Sequence, residues 1–336
     1  MKILLIQTAF LGDVILATSL VEKLHHFYPE SSIDFLLRKG NEQVLENHPF
    51  IEEVLIWDKK NNKYRNLFSL ISRIRNKKYD YIINLQRFAA SGLVTVAGNA
   101  KHTIGYDKNP FSVFFEKKIH HEINATGNKH EVERNIMLVE SITDNKPVRP
   151  KLYPSTTDFD KVANFKTGDY ICIAPASVWF TKQFPKEKWV ELIRHLSFKK
   201  KSNIYLLGSP ADRKLCDEII LDADVAAAKN LAGDLSILQT AALMKDASMN
   251  YVNDSAPLHI ASAMNAPVTA IYCSTVPAFG FGPLSDNSSI VETKVKLDCR
   301  PCGLHGYASC PEGHFKCALT IDIEEVVGSW EFEVRS

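Results

Sequence analysis

The sequence has no apolar run approaching the roughly 20 residues that cross a bilayer. Its opening KILLI, residues 2–6, is too short for the apolar core of a signal peptide, and the acid Asp13 interrupts the stretch after it. These features predict a cytoplasmic protein without a membrane span. Neither half carries G-x-G-x-x-G after its first apolar run, and G-x-x-x-x-G-K-[ST] is missing altogether. That argues against a nicotinamide dehydrogenase or a P-loop ATPase. Any phosphate must then be held by other helix N-termini and by lone cations. Excess charge is missing too: a formal net of +1 argues against bulk binding of nucleic acid. No D-x-D motif stands near a strand end, and neither an internal repeat nor a low-complexity segment is evident.

What is present describes a globular protein, with 45% hydrophobic and 24% charged residues over 336 positions, enough for two domains. KILLI (2–6), SIDFLL (32–37), EEVLIW (52–57) and YDYIINL (79–85) are short apolar runs separated by helical patterns. One such helix is marked by Val14, Ala17, Val21 and Leu24. The rhythm restarts at DYICIAPA (169–176), NIYLLGS (203–209), SMNYVND (248–254) and PVTAIYC (267–273). Such runs predict parallel strands covered on both faces by helices. Between the two series lies NKPVRPKLYPSTTDFDKV (145–162), whose prolines and polar residues read as a linker. The expected fold is therefore α/β, with two tandem doubly wound Rossmann-like domains, residues 1–150 and 151–336, and a cleft between them. Ligands on such sheets bind at the carboxyl ends of the strands.

Charge is distributed unevenly. The first 150 residues hold 21 Lys and Arg against 17 Asp and Glu. Lys59, Lys60, Lys63, Arg65, Arg73, Arg75, Lys77 and Lys78 follow one another without an acid, interleaved at helical spacing with Leu67, Phe68, Leu70, Ile71 and Ile74. A basic amphipathic helix results. It is either a solvated surface face or a contact for an anionic membrane or a phosphorylated lipid.

Three strand-to-helix turns in the second half carry candidate chemistry. In VNDSAPLHIASAM, Ser255 suits an N-cap after Asp254, and Pro257 suits a first helical turn. The N–H groups there form an anion site, with His259 one turn in, where most histidines simply pack. In APASVWFTKQFPKEKW, Lys182 stands in the loop before a helix that opens near Pro185; alone, it reads as a solvated lysine. In LLGSPADRKL, Asp212 is equally a helix-start acid or an acceptor for ribose hydroxyls.

Together, QTAFLGDVILATSL, YDYIINLQ followed by IGY, HEVERN, KQFPKEKW, LLGSPAD, NLAGDLSILQTAAL, NDSAPLHIASAMNAPV and CRPCGLHGYASCPEGHFKC resemble the glycosyltransferase family 9 heptosyltransferases in order and spacing. The cysteine-bearing stretch is most similar to the heptosyltransferase II branch. The resemblance implies a GT-B fold, with the acceptor against the N-terminal domain and the nucleotide-sugar against the C-terminal one, whose last residues are free to pack back on the first. It implies an inverting, metal-independent transfer of heptose from ADP-heptose to an anionic, lipid-linked acceptor of the lipopolysaccharide inner core. The enzyme would work in the cytoplasm, in peripheral contact with the inner membrane, and would bind no nucleic acid.

Residue by residue, the resemblance implies that Asp13 is the general base, with Phe10, Leu11 and Gly12 on the acceptor side; the alternative for Asp13 is a helix cap. Lys182 and the helix after Ser255 would take up the charge of the leaving ADP. Asp254 would orient sugar hydroxyls, Asp212 the ribose, and His259 would support the phosphate loop. Ala256 stands where the family usually has glycine, which puts the fit of the donor in question. Val178 stands where some members carry a hydroxyl, a role left to Ser177. The fold also allows another nucleotide-sugar or acceptor, or a non-catalytic sugar-nucleotide-binding protein; the joint presence of Asp13, Lys182 and Asp254 argues against the last.

Of seven cysteines, Cys172, Cys216 and Cys273 read as core residues. Cys299, Cys302, Cys310 and Cys317 form C-x2-C-x7-C-x6-C, with His305 and His314 between them. Such clustering suits zinc. Yet a matching second C-x-x-C is lacking, and the resemblance implies no required cofactor. Reduced thiols in a compact loop are the expectation.

Overall fold

The computed structural model describes residues 1–127, 129–199 and 201–331. It divides into two compact units, one over Met1–Ile123 and Lys129–Tyr153, the other from Pro154 onward together with residues 124–127. The change of unit thus falls at 153/154, inside the stretch read as a linker, a few residues beyond position 150. The physical reason is local. The backbone N–H of Lys151 donates to Thr18 Oγ1 (2.9 Å), and the Tyr153 hydroxyl donates to Glu22 (2.6 Å), which fastens residues 151–153 to the first unit.

The first unit contains β1 (Lys2–Ile6), α1 (Leu11–Phe27), β2 (Ser32–Arg38), β3 (Glu53–Trp57), α2 (Lys63–Lys77), β4 (Tyr81–Asn84), α3 (Ala89–Ala97), β5 (His102–Tyr106), β6 (Lys117–Ile119) and α4 (Glu131–Met137). The second contains α5 (Thr156–Val162), β7 (Tyr170–Ala174), α6 (Lys186–Lys199), β8 (Asn203–Leu206), α7 (Arg213–Ala223), β9 (Ala228–Asn230), α8 (Ile237–Lys245), β10 (Met249–Asn253), α9 (Ala256–Met264), β11 (Val268–Tyr272), β12 (Ser288–Glu292), α10 (Lys316–Leu319) and α11 (Ile323–Glu331). Strands β5, β6, β9 and β12 lie in stretches too short or too polar to read as apolar runs. Helix α5 occupies part of the expected linker, started by Ser155, whose hydroxyl accepts from the Asp158 N–H (3.2 Å).

The strand orders are β3-β2-β1-β4-β5-β6 and β12-β11-β10-β7-β8-β9, and every pairing is parallel. Numbered within its own unit, each sheet runs 3-2-1-4-5-6 in space or its equivalent, the doubly wound arrangement whose direction of winding reverses beside the unit's first strand. That explains the unbroken apolar runs: Ile3–Ile6 of β1 and Ile171–Ile173 of β7 are essentially inaccessible to solvent. Helix α1 is buried along the whole of Val14–Leu24, which includes two charged residues. Lys23 is tolerated there because it pairs with Asp144 and donates to the Lys146 carbonyl (2.8 Å).

The basic stretch is shorter as a helix than its cations suggest. Residues 59–61 form a turn over Asp58, whose Oδ1 accepts from the N–H groups of Lys60 (2.9 Å) and Asn61 (3.1 Å), and α2 begins only at Lys63. Leu67, Leu70 and Ile74 are buried as expected, while Phe68 is exposed. The eight cations, which no acid interrupts in sequence, do not all stay without an acid in the fold. Arg73 and Lys77 pair with Glu53, and Lys77 also reaches buried Asp34, because the strands beneath α2 supply acids distant in sequence.

No described helix is long and apolar enough to cross a membrane. Residues 332–336, named as able to pack back on the first domain, lie outside the described residues. Helix α11 packs on α6, β11 and β12 of its own unit.

Candidate active site

Candidate residues lie where the chain leaves β1 in the first unit, and β7, β8 and β10 in the second. In the first unit, β1 turns into α1 through residues 7–10. Phe10 is the N-cap residue, half exposed, with the Arg38 guanidinium 4.9 Å from its ring centroid. Leu11, Gly12 and Asp13 form the first helical turn and are partly exposed. Asp13 Oδ2 accepts from the Phe10 N–H at 3.1 Å. The carboxylate therefore satisfies an otherwise orphaned helix donor, near the positive end of the α1 dipole. The capping reading of Asp13 thus holds, and the arrangement also fixes a carboxylate at the carboxyl edge of the sheet.

In the same unit is a feature that the sequence pattern did not single out. A cavity of about 320 Å³ is lined by Thr8, Trp57, Lys59, Lys63, Phe88 and Ser91, among others. Lys59 donates to Thr8 O and Oγ1 (both 3.0 Å) and lies 4.6 Å from the Trp57 ring centroid. Burial, and then the charges of Arg38 and Lys63, lower its pKa to about 8.

In the second unit β7 and β10 are adjacent, and the loop between β7 and α6 lies against the end of β10. Asn253 is fully buried. Its Nδ2 donates to the Pro175 carbonyl (2.7 Å), and its Oδ1 accepts from the Phe184 N–H (2.9 Å), so one amide holds both ends of the loop. Within the loop Gln183 Nε2 donates to the carbonyl of Ser177 (2.6 Å). Ser177 is partly exposed and Val178 largely so.

Lys182 ends a short 3-10 turn, Phe180–Lys182. The solvated reading fails here: its side chain is only 15% exposed, and Nζ lies 2.7 Å from Asp254 Oδ2. The same oxygen accepts from Thr275 Oγ1 (2.6 Å) beyond the end of β11. Two candidates expected to serve different parts of a ligand are thus paired with each other.

Ser255 is the N-cap residue of α9 by position, but it makes no side-chain cap. Its hydroxyl donates back to the Asn253 carbonyl (3.3 Å), because the extended backbone at Ser255 carries the hydroxyl away from the helix. Ala256 and Pro257 form the first turn of α9. His259 is buried and packs edge-on to Phe281 with centroids 6.4 Å apart. Asp212 Oδ2 accepts from the Ser209 N–H (2.8 Å) and hydroxyl (2.7 Å), the geometry of a helix-start acid.

The cysteine readings divide. Cys172, Cys216 and Cys273 are buried, as expected. In the four-cysteine segment, Cys302 and Cys317 are buried, and burial raises their thiol pKa values, Cys317 to about 11. Cys299 Sγ lies 4.0 Å from His314 Nε2. Among the described residues, no group of three or more His, Cys, Asp or Glu side chains is arranged to hold a metal ion.

Comparison with known proteins agrees with this architecture. The E. coli ADP-heptose LPS heptosyltransferase II structure aligns over 100% of both chains with a TM-score of 0.80 at 22% identity. A family 9 glycosyltransferase from Veillonella parvula aligns over 98% of this chain and 96% of its own, with a TM-score of 0.84 at 21% identity. The fold is thus the two-unit GT-B fold of glycosyltransferases. The sequence profile of glycosyltransferase family 9 (heptosyltransferase) matches residues 67–305, and the chain belongs to that family. Among curated relatives, lipopolysaccharide heptosyltransferase 3 of Escherichia coli is 27% identical over 292 residues, 83% of this chain and 85% of its own. The protein is a glycosyltransferase.

Proposed function

We propose that the protein transfers heptose from ADP-heptose, with inversion, to an inner-core sugar of lipopolysaccharide at the cytoplasmic face of the membrane. The observation that carries the reading is the Lys182–Asp254 pair at the carboxyl ends of β7 and β10, beside the N-terminus of α9. A cation and the opening N–H groups of a helix suit a diphosphate. The E. coli structure that aligns over the full chain is named for ADP-heptose, and the curated relatives for lipopolysaccharide.

In this reading Asp13 accepts the proton of the acceptor hydroxyl as its oxygen bonds to the anomeric carbon. The bond from that carbon to the diphosphate oxygen breaks, and ADP leaves with the electron pair. Lys182, released from Asp254, takes up the charge, and the freed carboxylate receives sugar hydroxyls. Asp212 faces the ribose through the oxygen that Ser209 does not occupy, Ser177 contributes to the donor loop, and His259 supports the first turn of α9. Phe10, Leu11 and Gly12 border the acceptor. Lys59 and Lys63, in the first-unit cavity, suit its anionic groups. The cations of the basic segment left without an acid from β2 or β3, among them Lys60 and Lys78, suit an anionic membrane surface.

Initial rates with ADP-heptose and a heptose-deficient lipopolysaccharide, measured with and without EDTA, test the reading. Transfer that persists in EDTA is expected. No transfer from ADP-heptose, with transfer from another nucleotide-sugar, would favour the alternative for which Ala256 speaks: a changed donor on the same scaffold.

A further inference from the structure

The segment 299–315 has no role in the proposed transfer, yet it grips the turn that carries Lys182. It is anchored first to the end of β11. The Arg300 guanidinium donates to the carbonyls of Cys273 (2.8 Å) and Thr275 (2.7 Å) and to Glu292 (2.6 Å), and the Cys302 N–H donates to the Ser274 carbonyl (2.8 Å). This anchor surrounds Thr275, the residue that donates to Asp254.

From this anchor the segment meets three consecutive residues. The ring of Phe315 stacks on Phe180 with centroids 5.2 Å apart. Tyr307 pairs with Thr181 twice through the backbone: its N–H donates to Thr181 Oγ1 (2.7 Å), and its carbonyl accepts from the Thr181 N–H (3.1 Å). Ser274 Oγ donates to the same Thr181 hydroxyl (3.0 Å), which in turn donates to the Tyr307 carbonyl (3.3 Å). The Thr181 hydroxyl, on a residue 1% exposed, thus has its one donor and two acceptor sites filled. The third contact needs a glycine. Gly306 has φ +77°, and a Cβ there would lie 2.8 Å from Thr181 Oγ1 and 3.0 Å from Lys182 Cγ, so the lysine stem runs over its bare Cα.

We propose that segment 299–315 is a positioning strap for Lys182, with Thr181 and Gly306 as positioning residues for the transfer reaction. The strap holds the 3-10 turn so that the ammonium is presented beside Asp254 and the start of α9. The proposal rests on the reading of Lys182 as the contact for the diphosphate.

The test uses full-length Thr181→Val, Thr181→Ser, Gly306→Ala and Gly313→Ala, with Lys182→Ala and the Thr181→Val/Lys182→Ala double variant. Calorimetry with ADP, kcat and KM for ADP-heptose, and thermal unfolding are the readouts. Gly313 is the control, since it lies in the same part of the chain, has φ +68° and would meet nothing within 4 Å of an added Cβ. Thr181→Val and Gly306→Ala are expected to weaken ADP binding about tenfold, the worth of one well-made buried hydrogen bond. Gly313→Ala should lower thermal stability and leave ADP affinity alone, and Thr181→Ser should bind ADP as the unaltered protein does. Thr181→Val should add nothing to Lys182→Ala. If Gly306→Ala affects ADP no more than Gly313→Ala does, or if the Thr181 and Lys182 losses multiply, the strap does not act through the lysine. If Lys182→Ala itself binds ADP normally, the functional reading fails and the proposal with it, a result that this single variant identifies.

Discussion

Two stretches leave the first strands of two six-stranded parallel sheets, and they solve the same problem differently. After β1, residues 7–10 lead directly into α1, and Asp13 is fixed close to that helix's own start, through the Phe10 N–H. After β7, residues 175–185 intervene before α6, and Lys182 is fixed by groups from elsewhere: Asn253 at the loop ends, Asp254 at the ammonium, and Tyr307 on the neighbouring Thr181. The strands β4 and β10, each beside its unit's first strand, carry matching asparagines. Asn84 donates to Thr95 Oγ1 (2.9 Å) and accepts from the Gln86 N–H (2.9 Å), while Asn253 spans a whole loop. The cations differ as well, Lys59 being held by neutral groups and Lys182 by a carboxylate. A short connection lets local rules place a functional group, whereas a long one requires tertiary partners.

The sharpest test of that contrast separates the two chemical roles. Asp13→Asn keeps shape and removes the proposed base, so turnover should fall by about 10²–10⁴-fold with ADP affinity unchanged. Lys182→Ala should weaken ADP binding and lower turnover together, since ground and transition states both lose a contact. Initial rates and calorimetry distinguish them. A folded Asp13→Asn enzyme with near-full turnover would make Asp13 a helix cap and nothing more.

A smaller effect is expected from the paired asparagines. Asn253→Ala leaves the buried Phe184 N–H and Pro175 carbonyl without this partner, a loss of about 2–4 kcal/mol in urea unfolding. Asn84→Ala leaves the Gln86 N–H without its acceptor while Thr95 keeps its bond to the Ser91 carbonyl, a loss of about 1–3 kcal/mol. Only Asn253→Ala should also weaken ADP binding, because only it frees the loop that carries Lys182. Equal loss of ADP affinity in both variants would erase the contrast.

The smallest effect concerns Lys59. Its pKa falls from the ordinary lysine value to about 8 on folding, mainly through burial. The unfolded chain therefore binds the proton more tightly, and stability from this group is lost as pH falls from about 10.5 through 8. At pH 7 the charged form costs stability, so Lys59→Met should raise the unfolding temperature by the equivalent of about 1 kcal/mol, after discounting for solvent screening and the lost Thr8 bonds. The advantage should shrink as pH approaches 10. A difference constant from pH 7 to 10 would show that the lysine is not destabilised by its surroundings.

Periodicity and local chemistry were enough for the eight principal parallel strands, the turn at Asp13 and the helix that opens at Ala256. Each depends on residues close in sequence: unbroken apolar runs for doubly covered strands, and a carboxylate within one turn of the N–H group that it accepts from. Only the tertiary structure decided that Arg73 and Lys77 are neutralised by acids on neighbouring strands, that Ser255 turns its hydroxyl away from its helix, and that Lys182 is buried against Asp254. It also brought Tyr307 and Gly306 to Thr181 across more than a hundred positions of sequence. Those contacts depend on which strand lies beside which, and strand order is a property of the packed sheet, set by the burial of whole helical and strand faces, that no short window of sequence contains.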